Sequence, residues 1–139
     1  MQITLATNDA AIAACFPVMS QLRPHLDANT FVARVRVQQA EGYHLAALCD
    51  GGGVVCVAGF RLMHMLVSGR TLYVDDLVTD AAARSGGHGE AMLRWLIARA
   101  REGGCGTFAL DSGVQRHGAH RFYLRHRMDI TAHHFTLKL

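Results

Sequence analysis

Hydrophobic residues recur along this chain in two rhythms, and the switches between them mark out its elements. Gln2 to Ala6 alternates over a short run and predicts a strand. Thr7, Asn8 or Asp9 can cap a helix that continues through Ala10–Phe16. Pro17 falls inside that run, so it either kinks the helix or stands near a helix start. Leu22–Asp27, with Arg23-Pro24 inside it, reads as a loop. Phe31, Val32, Val35 and Gln39 then share one side of a second helix, although Val35 and Val37 are weak helix formers. Gly42 ends it. Tyr43–Cys49 is a strand, Asp50-Gly51-Gly52-Gly53 a hairpin turn, and Val54–Met65 the return strand, with Gly59 marking a bulge. Ser68-Gly69 turns the chain into a third strand, Thr71–Thr79, completing an antiparallel meander. The rhythm then changes. Met92, Leu93, Leu96, Ile97 and Ala100 repeat at helical spacing until Gly103-Gly104. A short apolar strand (Thr107–Leu110), a helix (Gly118–His126) and a final strand (Ile130–Leu139, carrying Ile130, Ala132, Phe135, Leu137 and Leu139) close the chain. The predicted order, β-α-α-β-β-β-α-β-α-β, is an α+β arrangement with helices packed on a mixed, mostly antiparallel sheet.

Composition narrows the class. The 139 residues suit a single domain with its own core, spanning 1–139. Half are hydrophobic and 18% charged, which excludes a disordered chain. The net charge of +3 and the arginines between Arg94 and Arg127 predict a locally basic C-terminal half. A nucleic-acid footprint would bring more aromatic stacking residues than the 7% present. Cys15, Cys49, Cys56 and Cys105 lie far apart and read as free thiols in a reducing compartment. Of the nine histidines, His117/His120 and His133/His134 come nearest to ligand pairs, but no metal motif surrounds them, and no metal is expected. No signal segment and no apolar run of ~18 residues occurs, so a cytoplasmic protein without a membrane partner is expected.

The chemistry concentrates between Thr71 and Ala100, where a strand, a glycine-rich turn and an amphipathic helix follow one another. The turn is Arg84-Ser85-Gly86-Gly87-His88-Gly89. Glycines allow left-handed backbone and close ligand approach, and a helix start presents N–H groups and a positive dipole end to an anion. A dinucleotide-binding turn would need glycine where Met92 stands, and a Walker loop would need Gly-Lys-Ser/Thr, which is absent. The strand carries a second signal. Alternation places Leu72 and Val74 on the apolar side and then puts Asp76 in the same row. A bulge near Asp75–Leu77 would restore Leu77 to the core. Without a bulge, Asp75 and Asp76 face opposite sides, and only one reaches a cleft.

The pattern Arg84-x-x-Gly87-x-Gly89 after a strand and before a helix resembles the acyl-CoA pyrophosphate loop of the GNAT superfamily of N-acetyltransferases, and the element order is similar over nearly the whole chain. The resemblance implies that backbone N–H groups of Arg84, Ser85, Gly86, Gly87, His88, Gly89 and Glu90 grip the pyrophosphate of acetyl-CoA. Leu77, Val78 and Thr79 would pair with its pantetheine arm along a splayed strand. Tyr73-Val74-Asp75-Asp76-Leu77 is similar to the acidic segment of small polyamine-type members, so Asp75 or Asp76 is the candidate base or amine holder, Asp75 through water. Ala119-x-x-Phe122-Tyr123 resembles the segment whose tyrosine protonates the leaving thiolate. A phenol, with its pKa of ~10, keeps that proton at neutral pH. Two positions depart from the family pattern. Arg116 stands where an asparagine often bonds the pantetheine amide, and Arg127-Met128 replaces Gly-Phe. The implied activity is direct acetyl transfer to a primary amine of a small molecule or peptide. The Pro24–Asp27 loop would shape the acceptor pocket, and a homodimer is left open. A non-catalytic acyl-CoA-binding domain and a nucleic-acid binder using the arginine-rich half are the rival readings.

Overall fold

Asn8 opens the helical part of the chain. In the computed structural model, which describes residues 1–139, its side chain accepts the Ala11 N–H at 2.9 Å and starts helix α1 (Asp9–Ala14). Cys15 ends α1 and begins α2 (Phe16–Leu22). Pro17 therefore sits in the first turn of α2, where its missing N–H has no helical partner to lose. Of the two roles open to that proline, the structure selects the start of a helix. Asp27 caps α3 (Ala28–Ala40) by accepting the Asn29 N–H at 2.7 Å. Phe31 and Val35 face the core, while Val37 is exposed.

The chain divides into two compact units, Met1–Ala109 and Leu110–Leu139. The first is built on a sheet. Strand β1 (Gln2–Leu5) pairs with β2 (Tyr43–Asp50), β2 with β3 (Gly53–Met65) and β3 with β4 (Gly69–Thr79), each pair antiparallel. The β2–β3 turn has two residues, Gly51 and Gly52, with φ of 62° and 88°. Two consecutive left-handed residues are what a two-residue hairpin of this twist demands. Beyond β4 come a short 3-10 turn (Ala81–Ala83), helix α4 (His88–Glu102) and β5 (Thr107–Leu110), which completes the strand order β1-β2-β3-β4-β5.

Cross-strand partners share a face of the sheet. Leu45, Ala47, Val57 and Val78 pack with Ile12, Cys15, Val18, Met19, Phe31 and Val35 of α1–α3. Leu72, Val74, Leu77 and Phe60 turn the other way. Trp95 of α4 meets Phe60 edge-on at 6.0 Å, and Met92, Leu93 and Leu96 are fully buried. Helices thus cover both faces of this sheet, and the α+β class follows.

The second unit contains α5 (His117–Arg125) and the segment after it. Here the structure corrects the predicted order. Residues 127–139 form no strand, and Ile130, Phe135, Leu137 and Leu139 are exposed. Alternation alone cannot make a strand, because every N–H and C=O on its ladder needs a neighbouring strand, and this unit supplies none.

Candidate active site

The site begins with one extra residue in β4. Gly59 of β3 pairs with Asp76, but the next residue, Phe60, pairs with Val74. Asp75 is the bulged residue. The predicted bulge is present and Leu77 returns to the buried row beside Val74, on the face toward α4. The bulge also changes the expectation for the acidic pair. Asp75 and Asp76 both lie on the α1–α3 face, because the extra residue cancels one alternation.

Both carboxylates meet arginines there. Arg61 Nε donates to Asp75 Oδ2 at 2.9 Å, and Arg61 Nη2 donates to Gln38 Oε1 at 2.8 Å. Arg23, at the end of α2, donates from Nε to Asp76 Oδ1 and from Nη2 to the Asp75 backbone carbonyl, each at 2.9 Å. The Tyr43 hydroxyl donates to Asp76 Oδ2 at 2.8 Å. Tyr43 reaches Asp76 by lying across Gly59 so closely that a Cβ there would overlap the phenol ring. Burial and the Asp76 carboxylate push the Tyr43 phenol up, so it stays protonated. Asp75 is different. Its Oδ1 is buried and has no hydrogen-bond partner, and burial raises its pKa against the pull of Arg61.

The far end of β4 leads into the glycine turn. Leu77 and Val78 are buried and pair with Ala58 and Val57, and Thr79 pairs with Cys56. The three meander pairs are antiparallel, and β5 lies beside β4 in the sheet. The Gly106 N–H, just before β5, bonds Arg70 O at 3.1 Å.

After Thr79, the Asp80 carboxylate accepts the Ala82 N–H at 3.1 Å. The Gln21 side chain clamps this corner, donating to Asp80 Oδ1 at 3.1 Å and accepting the Ala81 N–H at 2.9 Å. Ser85 and Gly87 take left-handed φ of 73° and 78°. Gly87 is the N-cap of α4 and brings no capping side chain. The first N–H to return to the helix ladder is that of Ala91, to Gly87 O at 3.0 Å. A Cβ built on Gly87 would meet nothing within 4 Å, so open space lies over the helix start. These features suit a pyrophosphate: uncapped N–H groups, left-handed backbone and room for close approach. Arg84 precedes the cradle, and Glu90 in the first turn is paired with Arg94 at 2.7 Å. His88 folds back across Gly86, with Nδ1 3.0 Å from Ala83 O and Nε2 2.9 Å from Asp50 Oδ2.

Arg116 and Tyr123 belong to the second unit. Arg116 is the N-cap residue of α5, and its carbonyl accepts the His120 N–H at 3.1 Å. Tyr123 is the buried residue of α5, its ring edge-on to Phe122 at 5.4 Å. The helix ends in a Schellman turn. Met128 N–H bonds Tyr123 O at 3.1 Å and Arg127 N–H bonds Leu124 O at 3.0 Å, with Arg127 at φ 64°. The arginine in the glycine position thus adopts the glycine's conformation.

Sequence reasoning passed over Tyr43, Arg61, Arg23, Gln38, Gln21 and Asp50. Only Gly59 signalled any of them. A glycine inside an apolar strand marks a close approach, and here the approaching group is Tyr43.

Residues 7–127 match the family model described as "Acetyltransferase (GNAT) family". The chain is 38% identical over 118 residues to the uncharacterized N-acetyltransferase YhdJ of Bacillus subtilis (strain 168), a match spanning 84% of this chain and 83% of that protein. Among solved structures, a putative acetyltransferase from Agrobacterium tumefaciens str. C58 superposes with a TM-score of 0.84 at 19% identity, covering 100% of both chains. AAC(6')-Iy in complex with the bisubstrate analog CoA-S-monomethyl-acetylneamine gives 0.84 at 14% identity, covering 99% of this chain and 97% of that one. At those identities the two structures speak for the fold. This chain belongs to the GNAT family and is an N-acetyltransferase of that family.

Proposed function

We propose that the chain moves an acetyl group directly from acetyl-CoA to a primary amine of a small molecule or peptide. The observation that carries this reading is the Arg84-x-x-Gly87-x-Gly89 turn opening an uncapped helix at the end of a bulged strand. Acetyl-CoA supplies the acetyl group as an activated thioester. In this reading the N–H groups from Arg84 to Glu90 hold the pyrophosphate, and the Leu77, Val78 and Thr79 stretch of β4 aligns the pantetheine arm. Asp75 takes the amine's proton through water. Its Oδ1 is buried and unpartnered, and burial raises its pKa, which makes the carboxylate a stronger base. Asp76 is committed to Arg23 and Tyr43, so it holds the strand's bulge in place instead. Tyr123 returns a proton to the thiolate, as its place in Ala119-x-x-Phe122-Tyr123 supports. Arg116 contributes at the start of α5, where family members often carry asparagine.

Direct transfer is favoured over an acyl-cysteine route. Burial pushes the Cys15 thiol up to about 12 and the Cys56 thiol up to about 11, so both are poor nucleophiles near neutral pH. No helix is long and apolar enough to cross a membrane. A cytoplasmic enzyme acting on a soluble amine, without nucleic acid, fits this reading. The rival is an acyl-CoA-binding domain without turnover, resting on Arg116.

Thiol release from acetyl-CoA across a panel of monoamines, polyamines and peptide N-termini tests the activity. Calorimetry with CoA tests the cradle: Gly89→Val should weaken binding at least tenfold, and unchanged affinity would remove the loop from the site. Tyr123→Phe should lower kcat by about 100- to 10,000-fold with CoA affinity nearly unchanged. A parallel fall in both would make Tyr123 a packing residue.

A further inference from the structure

We propose that Asp50 is a positioning residue for the pyrophosphate loop: through the His88 ring it ties the start of α4 to the β2–β3 hairpin and keeps a cation beside the phosphate cradle. This rests on the cofactor reading above.

The argument is one of hydrogen-bond valence. Nδ1 of His88 lies 3.0 Å from the Ala83 carbonyl oxygen, and Nε2 lies 2.9 Å from Asp50 Oδ2. A carbonyl can only accept. Asp50 is held below the usual carboxylate range, first by its bond to His88, so it too is an acceptor near neutral pH. A neutral imidazole has one N–H and could satisfy one of the two; only the imidazolium satisfies both. The ring is therefore charged in this arrangement. It spans two pieces of chain that are 33 residues apart, Asp50 and Ala83, and crosses Gly86, where a Cβ would meet its Cε1 at 2.6 Å. Glycine at 86 gives the ring its passage.

Position makes the charge useful. His88 is the first residue of α4, adjacent to the N-cap Gly87. An imidazolium there adds positive charge at the positive end of the helix dipole, offset in part by the Asp50 carboxylate it holds. The charged groups around the ring pull in both directions. Asp50, from the end of β2, and the Ala83 carbonyl raise the His88 pKa, while burial of the ring and, after it, the Met1 amino group beside β1 lower it. The net direction is up. Arg84 and Glu90 are its nearest charged neighbours along the chain, and Glu90 is paired with Arg94. With the folded pKa above the ordinary 6.5, the link is fully present below that value and is lost as pH rises through the raised one.

CoA binding by the full chain, followed by calorimetry from about pH 6 to about pH 9, tests this beside an NMR titration of the His88 ring in the free protein. In the wild type the affinity should fall about three- to tenfold as His88 loses its proton. Asp50→Asn, at the exposed hairpin, should move both the NMR midpoint and the affinity midpoint to lower pH. His88→Gln should abolish the affinity step. Ionisation of CoA itself is common to all three proteins and cancels in the comparison. An unmoved His88 midpoint in Asp50→Asn, or CoA affinity that ignores the ring's titration, overturns the proposal while leaving the cofactor site standing. CoA that binds at no pH overturns the cofactor reading and this inference with it.

Discussion

Tyr43 and Gly59 show how a single atom's absence shapes the acidic end of β4. The phenol ring occupies the space a Cβ would need, and from there its hydroxyl reaches Asp76. Gly59→Ala must push the ring aside and break that bond. We expect a loss of about 1–3 kcal/mol in chemical denaturation, the usual cost of overpacking, and the loss should be matched by Tyr43→Phe only in part. An alanine variant as stable as wild type would show that the ring can move freely. The neighbouring Asp75 differs from Asp76 in a way only geometry reveals. Asp76 has both oxygens engaged, whereas one oxygen of Asp75 is buried and unpartnered. The two sit side by side in the sequence with nothing to separate their roles.

At the scale of elements, the end of α5 holds a stabilisation that the natural chain does not use. Arg127 occupies the left-handed position of a Schellman turn, which costs an L-residue about 1–2 kcal/mol and glycine almost nothing. Arg127→Gly should therefore raise stability by about 1 kcal/mol, after the extra chain entropy of glycine is subtracted. An upward shift of the denaturation midpoint at constant slope is the expected reading, and a downward shift would mean that the arginine side chain contributes more than the turn costs. The end of α4 is the internal comparison. Its Schellman turn has Gly104 at φ 72°, with Cys105 N–H bonded to Ala100 O at 2.8 Å.

For the molecule as a whole, the Met1–Ala109 unit depends on a sheet covered on both faces. Leu96 is fully buried on α4 over the face of Leu72 and Val74. Leu96→Ala removes transfer energy and leaves a cavity, so unfolding should become easier by about 2–5 kcal/mol. Because α4 also carries the glycine turn at its start, CoA bound there should raise the melting temperature of this variant and of the wild type alike, provided the helix stays docked. A ligand effect lost along with the stability would show the cradle opening before the rest of the unit.

Local rules were enough for most elements and for the glycine turn before α4. Helix caps, hairpin glycines, the 3.6- and two-residue rhythms and the Gly87-x-Gly89 turn act through bonds between residues close in sequence, so they are legible there. The misplaced apolar row at Asp76 even disclosed the bulge, since a slip in alternation is itself a local signal. Tertiary structure alone decided what the bulge did. It put both carboxylates on one face and brought Arg23, Tyr43 and Arg61 to them from three other elements. It likewise brought Asp50 to His88, across 38 residues. Side chains that meet only after the sheet has formed leave no periodic trace, because nothing in their spacing reflects the contact. The alternation of Ile130–Leu139 is the converse case. The pattern of a strand is local, but a strand exists only where a neighbour accepts its hydrogen bonds, and that depends on the folded chain.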